Sequence, residues 1–174
     1  MLNSSLAATS TASVTALVGL PLQGRVELVE NALQQARERA RADGLPYAGG
    51  LSPADAWNLV SDGQAVLVDV RTAEERKFVG HVPAGLHVAW ATGTALTRNP
   101  RFVKELEGKV KKDALVVFLC RSGKRSALAA EAAAKAGFTQ AFNILEGFEG
   151  EIDAHQRRGG LGGWRFHGLP WIQD

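Results

Sequence analysis

The chain has a single cysteine, and it lies in a short cationic segment that could activate its sulfur atom. The segment reads Cys120, Arg121, Ser122, Gly123, Lys124, Arg125. Nearby cations and the partial positive charge of a helix N-terminus both favour the thiolate, which is the nucleophilic form of cysteine. The residue types at this position therefore predict a reactive sulfur.

The surrounding pattern indicates how this segment is held. An apolar run at 114–119 precedes the cysteine and an alanine-rich stretch at 126–136 follows it, an order that predicts strand, tight loop and helix. Further strands are predicted at 65–70, 86–90 and 141–145, and further helices at 52–62, 72–78 and 100–107. This alternation predicts an α/β fold with a parallel sheet flanked by helices on both faces. Sites in such sheets lie beyond the carboxyl ends of the strands, where Cys120 is placed.

The N-terminal part of the chain has a different composition. Residues 1–24 are rich in Ser, Thr and Ala, which predicts a disordered tail. Residues 25–44 carry apolar side chains at steps of three and four, which predicts an extra amphipathic helix ahead of a domain at 45–174. The apolar positions are Val26, Val29, Leu33, Ala36 and Ala40. This helix either packs on its own domain or docks a protein partner.

Composition narrows the class of protein. One cysteine excludes an intramolecular disulfide. No apolar run is long enough to span a bilayer, and the first 20 residues lack the basic and apolar regions of a secretory signal. A net charge of +2 is too small to indicate nucleic-acid binding. We therefore expect a cytoplasmic protein with no membrane or nucleic-acid partner.

Three interpretations of Cys120 are open from the residues alone. It could be a buried structural cysteine, although three clustered cations argue against an inert thiol. It could be the nucleophile of a phosphatase, but phosphatase loops place five residues between the cysteine and the arginine. Here only four residues separate Cys120 from Arg125, and Ser126 occupies the position where a phosphatase has its arginine. It could transfer sulfur, because loop amides around the thiolate can hold a persulfide and the cations attract an anionic donor.

Three segments resemble motifs of the rhodanese (thiosulfate sulfurtransferase) family, in the order and spacing of that family. They are the loop at 120–125; Val68-Asp69-Val70-Arg71 with Gly80-His81-Val82-Pro83; and Leu145-Glu146-Gly147-Phe148 with Trp164 and Gly168-Leu169-Pro170. The resemblance covers about residues 50 to 171. Phe148 departs from the family pattern, which commonly has a second glycine there.

The resemblance implies that Cys120 is the catalytic nucleophile, with substrate bound by Arg121, Ser122, Gly123, Lys124, Arg125 and Ser126. Their backbone amides would stabilise the thiolate and the persulfide, while Arg125 either binds the donor or braces the loop. Asp69, Arg71 and His81 are expected to give structural support.

By the same resemblance, the donor would be a small sulfur anion such as thiosulfate and the acceptor a thiol or cyanide. No metal and no organic cofactor is required. The alternative is a non-catalytic or carrier-type module that binds a protein partner, or delivers sulfur to it, through the helix at 25–44.

Overall fold

The computed structural model describes residues 22–83 and 85–173, which form twelve regular elements. The helices are α1 Leu22–Ala42, α2 Pro53–Ser61, α3 Ala73–Val79, α4 Phe102–Glu107 and α5 Lys124–Lys135. The strands are β1 Gly49–Leu51, β2 Val66–Asp69, β3 Leu86–His87, β4 Ala91–Thr92, β5 Thr97–Arg98, β6 Val116–Leu119 and β7 Ala141–Ile144.

Five strands form a parallel sheet in the order β1-β7-β6-β2-β3, and β4 and β5 form a separate antiparallel pair. Alternate residues of the central strand β6 face opposite sides of the sheet. Val117 and Leu119 pack in a core with α1 and α2, whereas Val116 and Phe118 pack in a second core with α4 and α5. The predicted parallel sheet with helices on both faces is confirmed.

Two helices begin with the sequence signals expected of them. Ser52 caps α2, its side chain accepting a hydrogen bond from the Asp55 amide, and Pro53 occupies the first turn. Thr72 caps α3 in a reciprocal capping box with Glu75. This box fixes the position of Glu75, which matters at the site below.

The predicted N-terminal helix is present, and it begins at Leu22 rather than at residue 25. Of its five predicted apolar positions, Val26 is 36% exposed, whereas the others are buried, namely Val29, Leu33, Ala36 and Ala40. The apolar face is therefore used within the chain itself. Residues 1–21, most of the segment predicted to be a disordered tail, lie outside the described residues.

The strand β1 was not predicted from the sequence. Its residues Gly-Gly-Leu lack the β-branched side chains that mark a strand, but the backbone pairs with β7 and makes β1 an edge strand of the sheet. Gly49 also lies against the backbone of Ala36, with no room for a side chain between them. Within the described residues, no helix combines the length and the hydrophobicity needed to cross a membrane.

Candidate active site

Cys120 lies where the sequence predicted, directly after β6 and just before α5. Gly123 makes the turn between them in a left-handed conformation with φ of 88°. A side chain at this glycine would collide with the carbonyl group of Leu145. Only glycine fits this position, and the turn it allows brings the N-terminus of α5 towards the sulfur.

Two polar donors hold the sulfur atom of Cys120. The amide of Gly123 lies 3.2 Å from Sγ and the hydroxyl of Ser126 lies 3.1 Å from it. Cys120 is only 1% exposed, and its neighbours include apolar side chains of the α4–α5 core. Because both donors point at Sγ, the environment of the thiol is not purely aliphatic. Hydrogen bonds and the positive end of α5 stabilise negative charge on this atom.

The segment after β7 fixes the base of the loop. The Phe148 amide donates to the Cys120 carbonyl at 2.8 Å, and the Glu149 amide donates to the Arg121 carbonyl at 2.9 Å. Gly147 has a φ of +65°, and a Cβ there would lie 2.6 Å from the Cys120 carbonyl oxygen. Close backbone approach therefore explains the glycine at 147.

Arg125 is committed to a partner inside the domain. Its two terminal nitrogens bind both carboxylate oxygens of Glu75, at 2.8 and 2.6 Å. Burial alone would raise the pKa of Glu75, but hydrogen bonds from Arg125 and from the Thr72 amide keep that pKa below its usual range. The hydrogen bond to Glu75 outweighs burial and raises the pKa of Arg125. Of the two roles left open for Arg125, these contacts favour bracing the loop.

Asp69 and Arg71 form a buried ion pair at the carboxyl end of β2, the strand next to β6. The guanidinium of Arg71 donates to both oxygens of Asp69 and to the Gly80 carbonyl, and Arg76 also donates to Asp69. Arg71 also lies 4.0 Å from the centre of the Phe148 ring. Phe148 thus places an aromatic ring beside Arg71. These contacts within the domain support the predicted structural role of Asp69 and Arg71, which stays a prediction.

Of the other predicted site residues, three lie on the outer surface of the loop and one lies in a neighbouring segment. Lys124 is 78% exposed and lies 3.5 Å from Glu151, while Arg121 and Ser122 are partly exposed. These residues form the outer side of the loop. His81 exchanges backbone hydrogen bonds with Ile172, which ties the C-terminal segment to the end of α3.

Glu75 is the residue whose role the sequence analysis missed. It binds Arg125, which follows it in the chain by 50 residues. Glu74 and Glu75 make the first turn of α3 acidic, yet nothing in the sequence indicates which cation either of them binds. The structure brings the two together because β2 and β6 are neighbours, so that α3 begins beside the loop.

The comparisons with known proteins agree with this geometry. The profile of the rhodanese-like domain family matches residues 52–152, more than half of the chain. The chain belongs to the rhodanese-like domain family. This membership supports a sulfur-transfer role for the protein.

Relatives of this rhodanese-like protein include one curated sequence and two solved structures. RP600, an uncharacterized protein of Rickettsia prowazekii, is 38% identical over 117 residues, which cover 65% of this chain and 87% of the relative. The crystal structure of Rv0390 from M. tuberculosis is 47% identical with a TM-score of 0.67, covering 74% of this chain and 99% of that one. The rhodanese-like domain of Alr3790 from Anabaena sp. is 14% identical with a TM-score of 0.51, covering 71% and 77%, and shows the fold alone.

Proposed function

We propose that this rhodanese-like protein is a sulfurtransferase that moves a sulfane sulfur from thiosulfate, or a similar anionic donor, to a thiophilic acceptor. The sulfur would travel as a persulfide on Cys120. The observation that carries the proposal is the pair of donors on Sγ, the Gly123 amide and the Ser126 hydroxyl, at the N-terminus of α5.

In the first step the Cys120 thiolate attacks the outer sulfur of thiosulfate. A new S–S bond forms to Sγ while the S–S bond of the donor breaks, and sulfite leaves with the bonding electron pair. The product is a persulfide whose terminal sulfur carries the negative charge. Exposed Lys124 and partly exposed Arg121 attract the dianionic donor to the loop.

In the second step an acceptor thiolate or cyanide attacks the terminal sulfur of the persulfide. The S–S bond to Sγ breaks and its electron pair returns to Cys120 as the thiolate, so the enzyme is regenerated. This is double-displacement catalysis through a covalent intermediate. It uses no metal and no organic cofactor, and a reducing compartment such as the cytoplasm would keep the thiol available.

The geometry favours sulfur transfer over phosphatase chemistry. In a phosphatase the loop arginine must be available to the phosphoryl oxygens, whereas here Arg125 is held by both oxygens of Glu75. The alternative of a sulfur carrier that docks its partner through α1 is restricted by the burial of that helix. A partner docking on α1 would have to use the outer side of that helix, because Leu33 and Ala36 on the inner side are buried.

The test is intact-mass analysis of the purified protein after incubation with thiosulfate. We expect a gain of one sulfur atom, reversed by cyanide with formation of thiocyanate. Cys120→Ser should abolish the gain, and Ser122→Ala, whose side chain makes no hydrogen bond among the described residues, should retain it. A folded protein with a free thiol that gains no mass from any sulfane donor would contradict the proposal.

A further inference from the structure

A cleft lies at the end of the sheet opposite to Cys120. It has a volume of about 280 Å³ and lies between the last turns of α1 and the segments that lead into β1 and β7. Tyr47 and Thr139 line it, and both precede the strands that they lead into. The cleft is therefore at the amino ends of the parallel strands, whereas Cys120 follows the carboxyl end of β6. It is separate from the candidate active site.

The polar groups of this cleft are donors. Arg37 and Arg41, one helical turn apart on α1, provide two guanidinium groups, and Tyr47 and Thr139 provide two hydroxyls. Among the described residues that line the cleft there is no carboxylate. Like charges four residues apart on a helix repel each other, and a bound anion would remove that repulsion.

Arg37 is held in place before any ligand arrives. Its guanidinium donates to the side-chain oxygen of Gln140 at 3.2 Å and lies 5.5 Å from the centre of the Phe142 ring. The amide group of Gln140 is itself oriented, because its nitrogen donates to the Asp113 carbonyl at 3.1 Å. A guanidinium fixed in this way loses little freedom when it binds an anion, which lowers the cost of binding.

The remaining donors are available. Within residues 22–83 and 85–173, neither the guanidinium of Arg41 nor the hydroxyl of Tyr47 has a hydrogen-bond or ion-pair partner. Burial, with a smaller contribution from Glu131, raises the pKa of Tyr47, so its hydroxyl keeps its proton at neutral pH. The charge of Glu131 is offset by Lys135, which lies 2.6 Å from it.

We propose that this cleft binds a small organic anion, with one oxyanion group (phosphate or carboxylate) held between Arg37 and Arg41. The short body of the ligand would lie on Leu45 and Ala48, the apolar part of the lining. The volume is at the lower limit of small-molecule pockets, about 300 Å³, which restricts the ligand to metabolite size. The proposal is independent of sulfur transfer at Cys120.

The test uses inorganic phosphate and acetate as probes, with sodium chloride of equal ionic strength as the control. Backbone amide signals of the full chain are followed by NMR during each titration. We expect saturable shifts at Ala48 and Thr139 with at least one of the two probes and no such shifts with chloride. Saturation by phosphate alone or by acetate alone identifies the oxyanion. Failure of both probes, or identical shifts with chloride, overturns the proposal.

Two matched variants test whether the cleft residues are responsible. Arg41→Gln removes a lining charge, and Arg39→Gln removes an equal charge from an exposed residue of the same helical turn outside the cleft. Because Arg41→Gln removes a hydrogen bond to a charged group, it should raise the Kd of the anion about tenfold. Arg39→Gln should change that Kd less than about twofold. Equal weakening by the two variants would show general charge attraction and would overturn the site.

Discussion

The Glu75–Arg125 pair gives the sharpest test of how the loop is held. Its side chains are 17% and 15% exposed, so it is neither a surface pair nor a fully buried one. Removing one partner of a buried pair costs about 3–5 kcal/mol, whereas exposed pairs contribute about 1 kcal/mol or less. For Glu75→Gln we therefore expect a loss of about 2 kcal/mol in the free energy of unfolding, a value between these limits. At about 2–4 °C per kcal/mol for a chain of this size, Tm should fall by about 4–8 °C.

The control for this variant is Glu74→Gln, which removes the same charge from an exposed neighbour in the first turn of α3. Thermal unfolding should separate the two variants, and persulfide formation on Cys120 should slow only in Glu75→Gln. Because Arg125 acts through the loop, the change is expected mainly in kcat rather than in KM for thiosulfate. If both variants unfold at the same temperature, or if only KM changes, the bracing role of Arg125 is refuted.

Acid unfolding provides a second readout of the same pair. The pKa of Glu75 is lower in the folded chain than its usual value, so the folded state binds fewer protons at this group than the unfolded state does. Its stabilisation is complete above the unfolded pKa of about 4.3 and is lost as the pH falls through the folded pKa. Unfolding free energies measured below pH 5 should therefore depend less on pH in Glu75→Gln than in Glu74→Gln.

Two further predictions concern the loop. Gly147→Ala should destabilise the protein more than Gly44→Ala: both glycines have φ near +65°, but only Gly147 has backbone atoms within 3 Å of the added Cβ. Equal losses in the free energy of unfolding, measured by chemical denaturation, would show that the positive φ sets the cost of both substitutions and that the close contacts at Gly147 add nothing. Ser126→Ala removes the hydroxyl that donates a hydrogen bond to Sγ of Cys120. Because a hydrogen bond to a charged sulfur is lost, alkylation of the thiol should slow about tenfold. The control Ser122→Ala should leave the alkylation rate unchanged. Iodoacetamide kinetics measure both variants, and equal rates would contradict the assigned role of Ser126.

The sequence predicted the elements that carry strong local signals. The run at 114–119 and the alanine-rich stretch after the loop correspond to β6 and α5, and Cys120 lies between them as predicted. Three short strands, β1, β4 and β5, were missed because they contain two or three residues each and have no apolar alternation. Their formation depends on partners that are distant in sequence or on a local turn.

Within the site, the sequence predicted Cys120 as the nucleophile, which stays a prediction, but it did not predict which residues around the loop contact each other. A lone cysteine among cations favours a nucleophile, but the pairing of Arg125 with Glu75 depends on β2 lying next to β6, which places the start of α3 beside the loop. The contacts of Phe148 were also not predictable. The sequence showed this residue only as a departure from a glycine motif. In the structure the guanidinium carbon of Arg71 lies 4.0 Å from the centre of the Phe148 ring, which explains why an aromatic residue is accommodated there.

The burial of α1 has a consequence for the size of the folding unit. The family match spans 52–152, yet Leu33 and Ala36 before it and Trp164 and Leu169 after it are all buried in one core. A fragment cut at the limits of the match would open that core at both ends and expose apolar surface to water. The core of this protein therefore extends from α1 to the C-terminal segment, beyond both ends of the 52–152 family match.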